Sequence, residues 1–241
     1  MAGGLTALGP FFAVTAHPPG IAPTAPWRPV TELTAGPPGP LLNRIASVRA
    51  ALAARGGLAV AAVEPRVAGS AVHLGLAARL IAPALAAAVL GGPLDMRPGD
   101  LWWQDTAGGP VPLSVRARGY GAAPAEWDRR LLDDVIIPFT DATAQLARVP
   151  GRVLRGNVAS AVNAAAGQLA ARRPDLARDA WRAAARLFAT PLLASERYPP
   201  GPAFRRSSCC LFYRLLPGTP AAVCGDCILH RRNLAPPLTC G

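Results

Sequence analysis

The sequence predicts an α+β fold that is predominantly helical. A small β-hairpin or sheet is expected around residues 100–118, and a short cysteine-rich, metal-binding tail at the C-terminal end. Three observations predict this. Apolar residues recur at helical spacing through long Ala/Leu/Arg segments between residues 43 and 189. One stretch rich in Trp and Val is broken by a Gly-Gly-Pro turn. Four of the five cysteines fall within nineteen positions, from Cys209 to Cys227.

The chain has 241 residues, 51% of them hydrophobic, which suits one large domain or a domain with a small appendage. It carries 27 Pro and 24 Gly, but helical segments separate them, so the chain reads as folded with irregular connectors. The formal net charge is +11, with no lysine, a bias that a GC-rich coding sequence would produce on its own. The functional reading is attraction to anions. Nucleic acid is not expected as a partner, because the arginines are spread along helices and no aromatic stacking stripe accompanies them.

The elements follow in order. Residues 1–40 read as an irregular lead, packed in part through Phe11, Phe12 and Trp27. Ile45, Val48 and Leu52 share a helix face that starts at a candidate Asn43 cap and stops at Gly56-Gly57. Residues 66–90 form a second helical region, with Leu76 and Leu80 on one face and Pro83 expected to kink or divide it. Its most apolar part, Leu74 to Leu94, holds Arg79 and Pro83 and falls short of a clean membrane span. Residues 1–20 lack the positive start of a secretory signal. Three helices are expected at about 129–147, 152–171 and 175–189, the first interrupted by Pro138 and the last with Trp181, Ala184, Ala185 and Phe188 at helical spacing. Pro191, Pro199, Pro200 and Pro202 mark a boundary, which divides the chain into 1–195 and 196–241.

The tail has the pattern C-C-x13-C-x2-C. Cys224-Gly225-Asp226-Cys227 is a tight turn whose sulfurs and backbone N–H groups can converge on one metal. Cys209 and Cys210 are adjacent, and adjacent residues of an extended chain point to opposite faces. For both to reach one site, the backbone there must be helical or sharply turned. By spacing alone an iron–sulfur cluster and a structural zinc stand level, with a redox dithiol at Cys224 and Cys227 behind them. Cys240 reads as a stray terminal thiol, the other reading being a spare ligand or resolving thiol.

Arg206, Cys209, Cys210, Leu211, Tyr213, Arg214, Pro217-Gly218 and Cys224-Gly225-Asp226-Cys227 together resemble the C-terminal signature of FhuF-type ferric siderophore reductases. Arg79-Leu80-Ile81-Ala82-Pro83 and Gly156-Asn157-Val158-Ala159-Ser160-Ala161 resemble upstream segments of that family, in the same order, so the resemblance covers about residues 60–232. It implies a [2Fe–2S] cluster held by Cys209, Cys210, Cys224 and Cys227, a substrate or scaffold domain over 1–195 and a cluster-binding segment over 196–241. This chain departs from the family in its longer gap between the cysteine pairs, the extra residues lying in LLPGTPAAV.

The implied activity is one-electron reduction of a ferric siderophore. Iron(II) is larger and softer than iron(III), so the chelator's hard oxygens release it. Such chemistry needs no nucleophile or general base, and the three histidines, His17, His73 and His230, are scattered. His73 reads as a buried or helix-surface residue, and His230, three beyond Cys227, as a candidate outer-sphere donor. A four-thiolate [2Fe–2S] centre carries −2 oxidised and −3 reduced, so Arg205, Arg206, Arg214, Arg231 and Arg232 would favour the reduced form and attract an anionic substrate. Trp102, Trp103, Arg116 and Asn157 are candidates to line the substrate site, with one of the two tryptophans expected in the core. The expected setting is the cytoplasm, with a ferredoxin- or flavin-type reductase as electron donor and transient docking to a membrane importer. The alternatives are a zinc-stabilised structural or interaction protein, and an iron–sulfur electron carrier that never meets a siderophore.

Overall fold

A computed structural model describes residues 2–34, 38–92, 94, 96–117, 126–215 and 224–229. The expected architecture is present: helices dominate, and a small sheet sits where the Trp-rich stretch predicts it. The lead is more ordered than its composition suggests. It supplies helix α1 (Ala2–Thr6), strands β1 (Thr15–His17) and β2 (Arg28–Pro29), and helix α2 (Thr31–Thr34). β3 (Leu101–Trp103) and β4 (Leu113–Arg116) form the predicted antiparallel hairpin. β1 joins β4 in parallel and β2 joins β3 antiparallel, giving the order β1-β4-β3-β2. Such short strands carry no readable alternation, which is why the lead looks irregular in sequence.

Helix α3 spans Gly39–Gly56 rather than starting at Asn43. No side chain caps it, and the start is set by the prolines around residue 39, whose fixed φ suits a first turn. Its end is as expected, with Gly57 in the left-handed region at φ 62°.

Helix α4 (Pro65–Val89) runs unbroken through Pro83. Proline removes one helical N–H and crowds the carbonyl four residues back, here that of Arg79. Packing overrides that cost, because α4 is buried nearly all round at the centre of the helical layer, against α3, α6 (Ile137–Ala147), α7 (Gly151–Arg172) and α8 (Ala177–Phe188). α4 is long and apolar enough to cross a membrane, but 72% of its most apolar window is buried inside the fold, as expected of a core helix. A Cβ on Gly69 would lie 2.4 Å from the Cβ of Ala147, so glycine permits the close crossing of α4 and α6.

The Arg79 side chain is buried beside the proline turn. It donates to the carbonyls of Val111 at 2.7 Å and Ala13 at 2.8 Å, and to that of Phe11. One guanidinium thereby fastens both the lead and the hairpin onto α4. Burial lowers its pKa to about 10, which leaves it charged at neutral pH.

Pro138 does not break its helix either. α5 (Trp127–Leu131) passes into a π-helical turn (Leu132–Ile136) and then into α6. Asp134, whose carbonyl Pro138 would crowd, lies in that widened turn. In α8 the buried stripe is Ala180, Ala184 and Leu187. Trp181 and Phe188 pack beside it, and Ala185, expected on that face, is exposed.

Candidate metal centre

The chain bends at Ser207-Ser208 as it enters the cysteine site. Phe204, Arg206, Ser208 and Cys210 are buried, whereas Arg205, Ser207 and Cys209 are only half-buried. Although burial alternates along the strip, the Cys209 and Cys210 thiols lie within hydrogen-bonding reach of each other. The sharp turn expected around the pair is present, with the bend on one side and Leu211 on the other. Leu211 is left-handed at φ 73°, and a 3₁₀ turn follows over Phe212–Arg214. The Leu211 N–H points back onto Cys209 Sγ at 3.3 Å. The second pair repeats the device, with the Leu229 N–H on Cys227 Sγ at 3.3 Å and the Cys227 N–H on the Cys224 carbonyl at 3.0 Å.

Helix α7 is the platform on which this segment sits. Gly156, Asn157, Ser160 and Asn163 share one face at helical spacing, and each meets the C-terminal segment. A Cβ on Gly156 would lie 2.5 Å from Ser208 Oγ and 3.1 Å from Arg206 Nη2, so only glycine lets the chain lie this close. Ser208 Oγ donates to the Arg152 carbonyl at 2.7 Å. Ser160 Oγ donates to the Asp226 carboxylate, and Asn163 Oδ1 accepts from the Gly201 N–H at 2.7 Å. The Arg206 N–H donates to the Asp226 carbonyl at 3.0 Å, which fastens the two cysteine-bearing strips together.

Beneath the thiols runs a buried polar relay. Arg206 Nη2 donates to Asn157 Oδ1 at 2.6 Å and to the Val153 carbonyl at 3.2 Å, while Nε donates to the Ser208 carbonyl at 3.1 Å. Asn157 Nδ2 donates to Ser70 at 3.1 Å, and Ser70 Oγ donates to the Cys210 carbonyl at 2.9 Å. Thr140 Oγ1 donates to the Ile136 carbonyl at 2.7 Å, so it accepts from His73 Nε2 at 3.0 Å. His73 is thus the Nε2–H tautomer, its Nδ1 facing the Asn157 amide at 3.5 Å. Burial, reinforced by the Arg206 charge, holds its pKa down at about 3. His73 is a neutral core residue stacked on Phe139, not a proton donor at neutral pH.

All four cysteines are free thiols, and Cys210 Sγ lies 3.4 Å from Cys224 Sγ. That is a little inside the roughly 3.8 Å separating two thiolates on a tetrahedral metal with bonds of about 2.3 Å. Hydrogen bonds from the Cys209 and Cys224 thiols pull the Cys210 pKa down, and the Arg206 charge adds to them against the opposing effect of burial. Cys209 and Cys224 are pushed up by the same hydrogen bonds and by burial. Among the described residues no three His, Cys, Asp or Glu side chains are arranged to hold a metal ion as they stand. A two-iron cluster asks instead for two pairs of thiolates.

The charge of Arg206 supplies an independent test of fit. The residue is fully buried, and among the described residues its bonded partners are all neutral and Nη1 has no partner. A buried cation of this kind calls for an anion. Four thiolates around a cluster of net negative charge provide one, so the residues present suit such a group.

Residues 206–227 match the family model of the FhuF 2Fe-2S C-terminal domain. The chain is FhuF-like in this segment, and the cofactor that the matched domain binds is a [2Fe–2S] cluster. No curated protein and no solved structure matches the chain.

Other predicted site residues are placed differently. Asn157 does not line a substrate site, since it is fully buried under the FhuF-like segment. Trp103 is the core tryptophan and is likewise closed to substrate, while Trp102 is half-buried on the opposite face of β3. Arg116 pairs with Asp100 at 3.0 Å on the sheet. Of the arginines, Arg206 is under the cysteines, Arg205 reaches the Gly225 carbonyl at 3.5 Å, and Arg214 pairs with Glu64 at 2.6 Å. His230, Arg231, Arg232, Cys240 and most of the thirteen-residue gap lie outside the described residues. Ser70 was missed from the sequence. A serine inside an apolar helix, one turn before a buried histidine, was the only signal for it.

Proposed function

We propose that this protein is a one-electron reductase of ferric siderophores whose [2Fe–2S] cluster is held by Cys209, Cys210, Cys224 and Cys227. The observation that carries the reading is the seating of four free thiols over a buried Arg206 that has no anionic bonded partner among the described residues, in the segment that matches the FhuF domain. When bound, the cluster supplies one-electron chemistry at modest potential. The chain does the rest. Cys210 and Cys227 are buried, at 1% and 2% exposure, and would form the inner side of the centre. Cys209 and Cys224 are half-exposed and form the outer edge, where a donor and a ferric chelate can approach. Arg206 favours the more negative, reduced state from below, and Arg205 presents charge to an anionic chelate beside Gly225. A cytoplasmic setting and a ferredoxin- or flavin-type donor belong to the same reading, as does transient docking to an importer.

The test is stoichiometric. Anaerobically pre-reduced protein is mixed with ferric hydroxamate and ferric catecholate complexes in the presence of an iron(II) trap. The reading expects loss of the reduced-cluster EPR signal and trapping of one iron(II) per chain with at least one chelate class. A cluster that stays reduced with both classes favours an electron carrier.

A further inference from the structure

A cavity of about 420 Å³ lies along the seam between α4 and α7. Phe11, held in place by Arg79, stands in its wall together with Leu74, Ala78 and Ala164. Phe212 of the cysteine turn is also in the wall, two residues beyond Cys210. Ser160, which holds Asp226 between the second pair of cysteines, is there too. Among the described residues no charged side chain lines it, in a protein of net charge +11, and Gln168 is the one polar group there besides Ser160. On α4 it extends from Ala71 to Ala82, eleven residues, or roughly 16 Å at 1.5 Å per residue. Its volume lies in the range of small-molecule sites, which are mostly apolar with a few placed polar groups.

We propose that this groove binds a linear acyl chain carried by the ferric chelate, so that the substrate is an amphiphile whose iron-bearing head lies at the cysteine edge. The inference rests on the reductase reading and deepens it by naming the substrate class. A slot roughly 16 Å long with no charged side chain among its described lining residues fits a chain rather than a polar head. Its continuity with Phe212 and Ser160 places the free end of that chain's head group beside the cysteine segment. Phe11 and Arg79 thereby acquire a task, since the N-terminal lead closes one wall of the slot.

The test uses cluster-loaded, full-length protein and gallium(III), which binds as iron(III) does and cannot be reduced here. Gallium complexes of two hydroxamate chelators, identical except that one bears a linear chain of about 12 carbons matched to the roughly 16 Å slot, are titrated calorimetrically. The acylated complex is expected to bind at least about tenfold more tightly. Ala164→Trp, at an exposed position on α7, should abolish that preference and leave the unacylated complex and the cluster absorption unchanged. Gly75→Leu on α4, where a Cβ meets nothing within 4 Å, should do the same from the opposite wall and covers a failure of the first variant to fold. Equal affinities in the unmodified protein, or a preference that survives both substitutions, would overturn the proposal. So would dodecanoate alone binding as tightly as the acylated complex, which would mark a fatty-acid site. If the reductase reading fails, ferric complexes leave the reduced cluster unoxidised while the gallium pair is still discriminated, so the two failures are told apart.

Discussion

Arg206 donates to the side-chain carbonyl of Asn157 at 2.6 Å, and neither residue reaches solvent. This contact joins the one buried guanidinium under the cysteines to the middle of α7, and through Asn157 to Ser70, whose hydroxyl holds the Cys210 carbonyl. The charge beneath the cysteines and the position of one of them are therefore set by the same contact.

Arg206→Gln removes the charge and should lower the cluster potential by about 50–100 mV, the scale of one charge several ångströms away at an effective dielectric near 20. Redox titration followed by EPR measures it. Arg206→Lys keeps the charge but cannot make the forked contacts to Asn157, Val153 and Ser208, so it should hold the potential nearer the parent value while lowering thermal stability.

Gly156→Ala places a Cβ 2.5 Å from Ser208 Oγ and should lift the cysteine segment off α7. The expected cost is about 1–3 kcal/mol, with a reduced cluster content in protein that retains its helical circular dichroism. Gly167→Ala is the control on the same helix. Its Cβ would meet Trp181 at an ordinary 3.6 Å, so it should be neutral or stabilising by up to about 1 kcal/mol.

His73 sets a pH dependence. In the unfolded chain it takes a proton near its ordinary 6.5, but in the fold only at about 3, so the unfolded state binds more protons between those values. Its contribution is complete above about pH 6.5 and is lost as pH falls toward 3, by up to about 1.4 kcal/mol per pH unit. The facing groups are Phe139, Thr140 and Asn157, all uncharged, and the cation Arg206. Denaturant midpoints between pH 7 and 4.5 should fall more steeply for the parent than for His73→Gln.

Ser160→Ala leaves an Asp226 carboxylate oxygen without its hydroxyl donor and loosens the Cys224–Cys227 turn. The penalty expected for a lost bond to a charged acceptor is about 1–3 kcal/mol. Loss of visible absorbance in the presence of an iron chelator should accelerate several-fold, with little change in the far-ultraviolet spectrum.

Much of this site was legible in the sequence because metal ligation leaves a local mark. Four cysteines at C-C-x13-C-x2-C mark the candidate centre, and the Leu-x-Tyr-Arg and Gly-Asp residues around them carry the resemblance to the FhuF family. The helices were legible from their periodicity, apart from their breaks. Pro83 and Pro138 looked like interruptions, and neither is one, because burial nearly all round keeps α4 continuous and a π turn absorbs the second proline. The role of Asn157 could not be read locally. A polar residue on a small-residue helix looks the same whether it faces a substrate or a buried guanidinium 49 positions away. The lead's strands, of two and three residues, pair with a hairpin some seventy to a hundred positions later, beyond the reach of any local pattern.

The central claim is that Cys209, Cys210, Cys224 and Cys227 together hold a [2Fe–2S] cluster. Metal and acid-labile sulfide analysis of anaerobically purified protein, with EPR after dithionite, tests it most directly. The account predicts two iron and two sulfide per chain and an S = 1/2 signal, all lost in each single Cys→Ser variant of these four while the helical signal remains. Colourless protein with one zinc per chain, or a full cluster in Cys210→Ser, would contradict it.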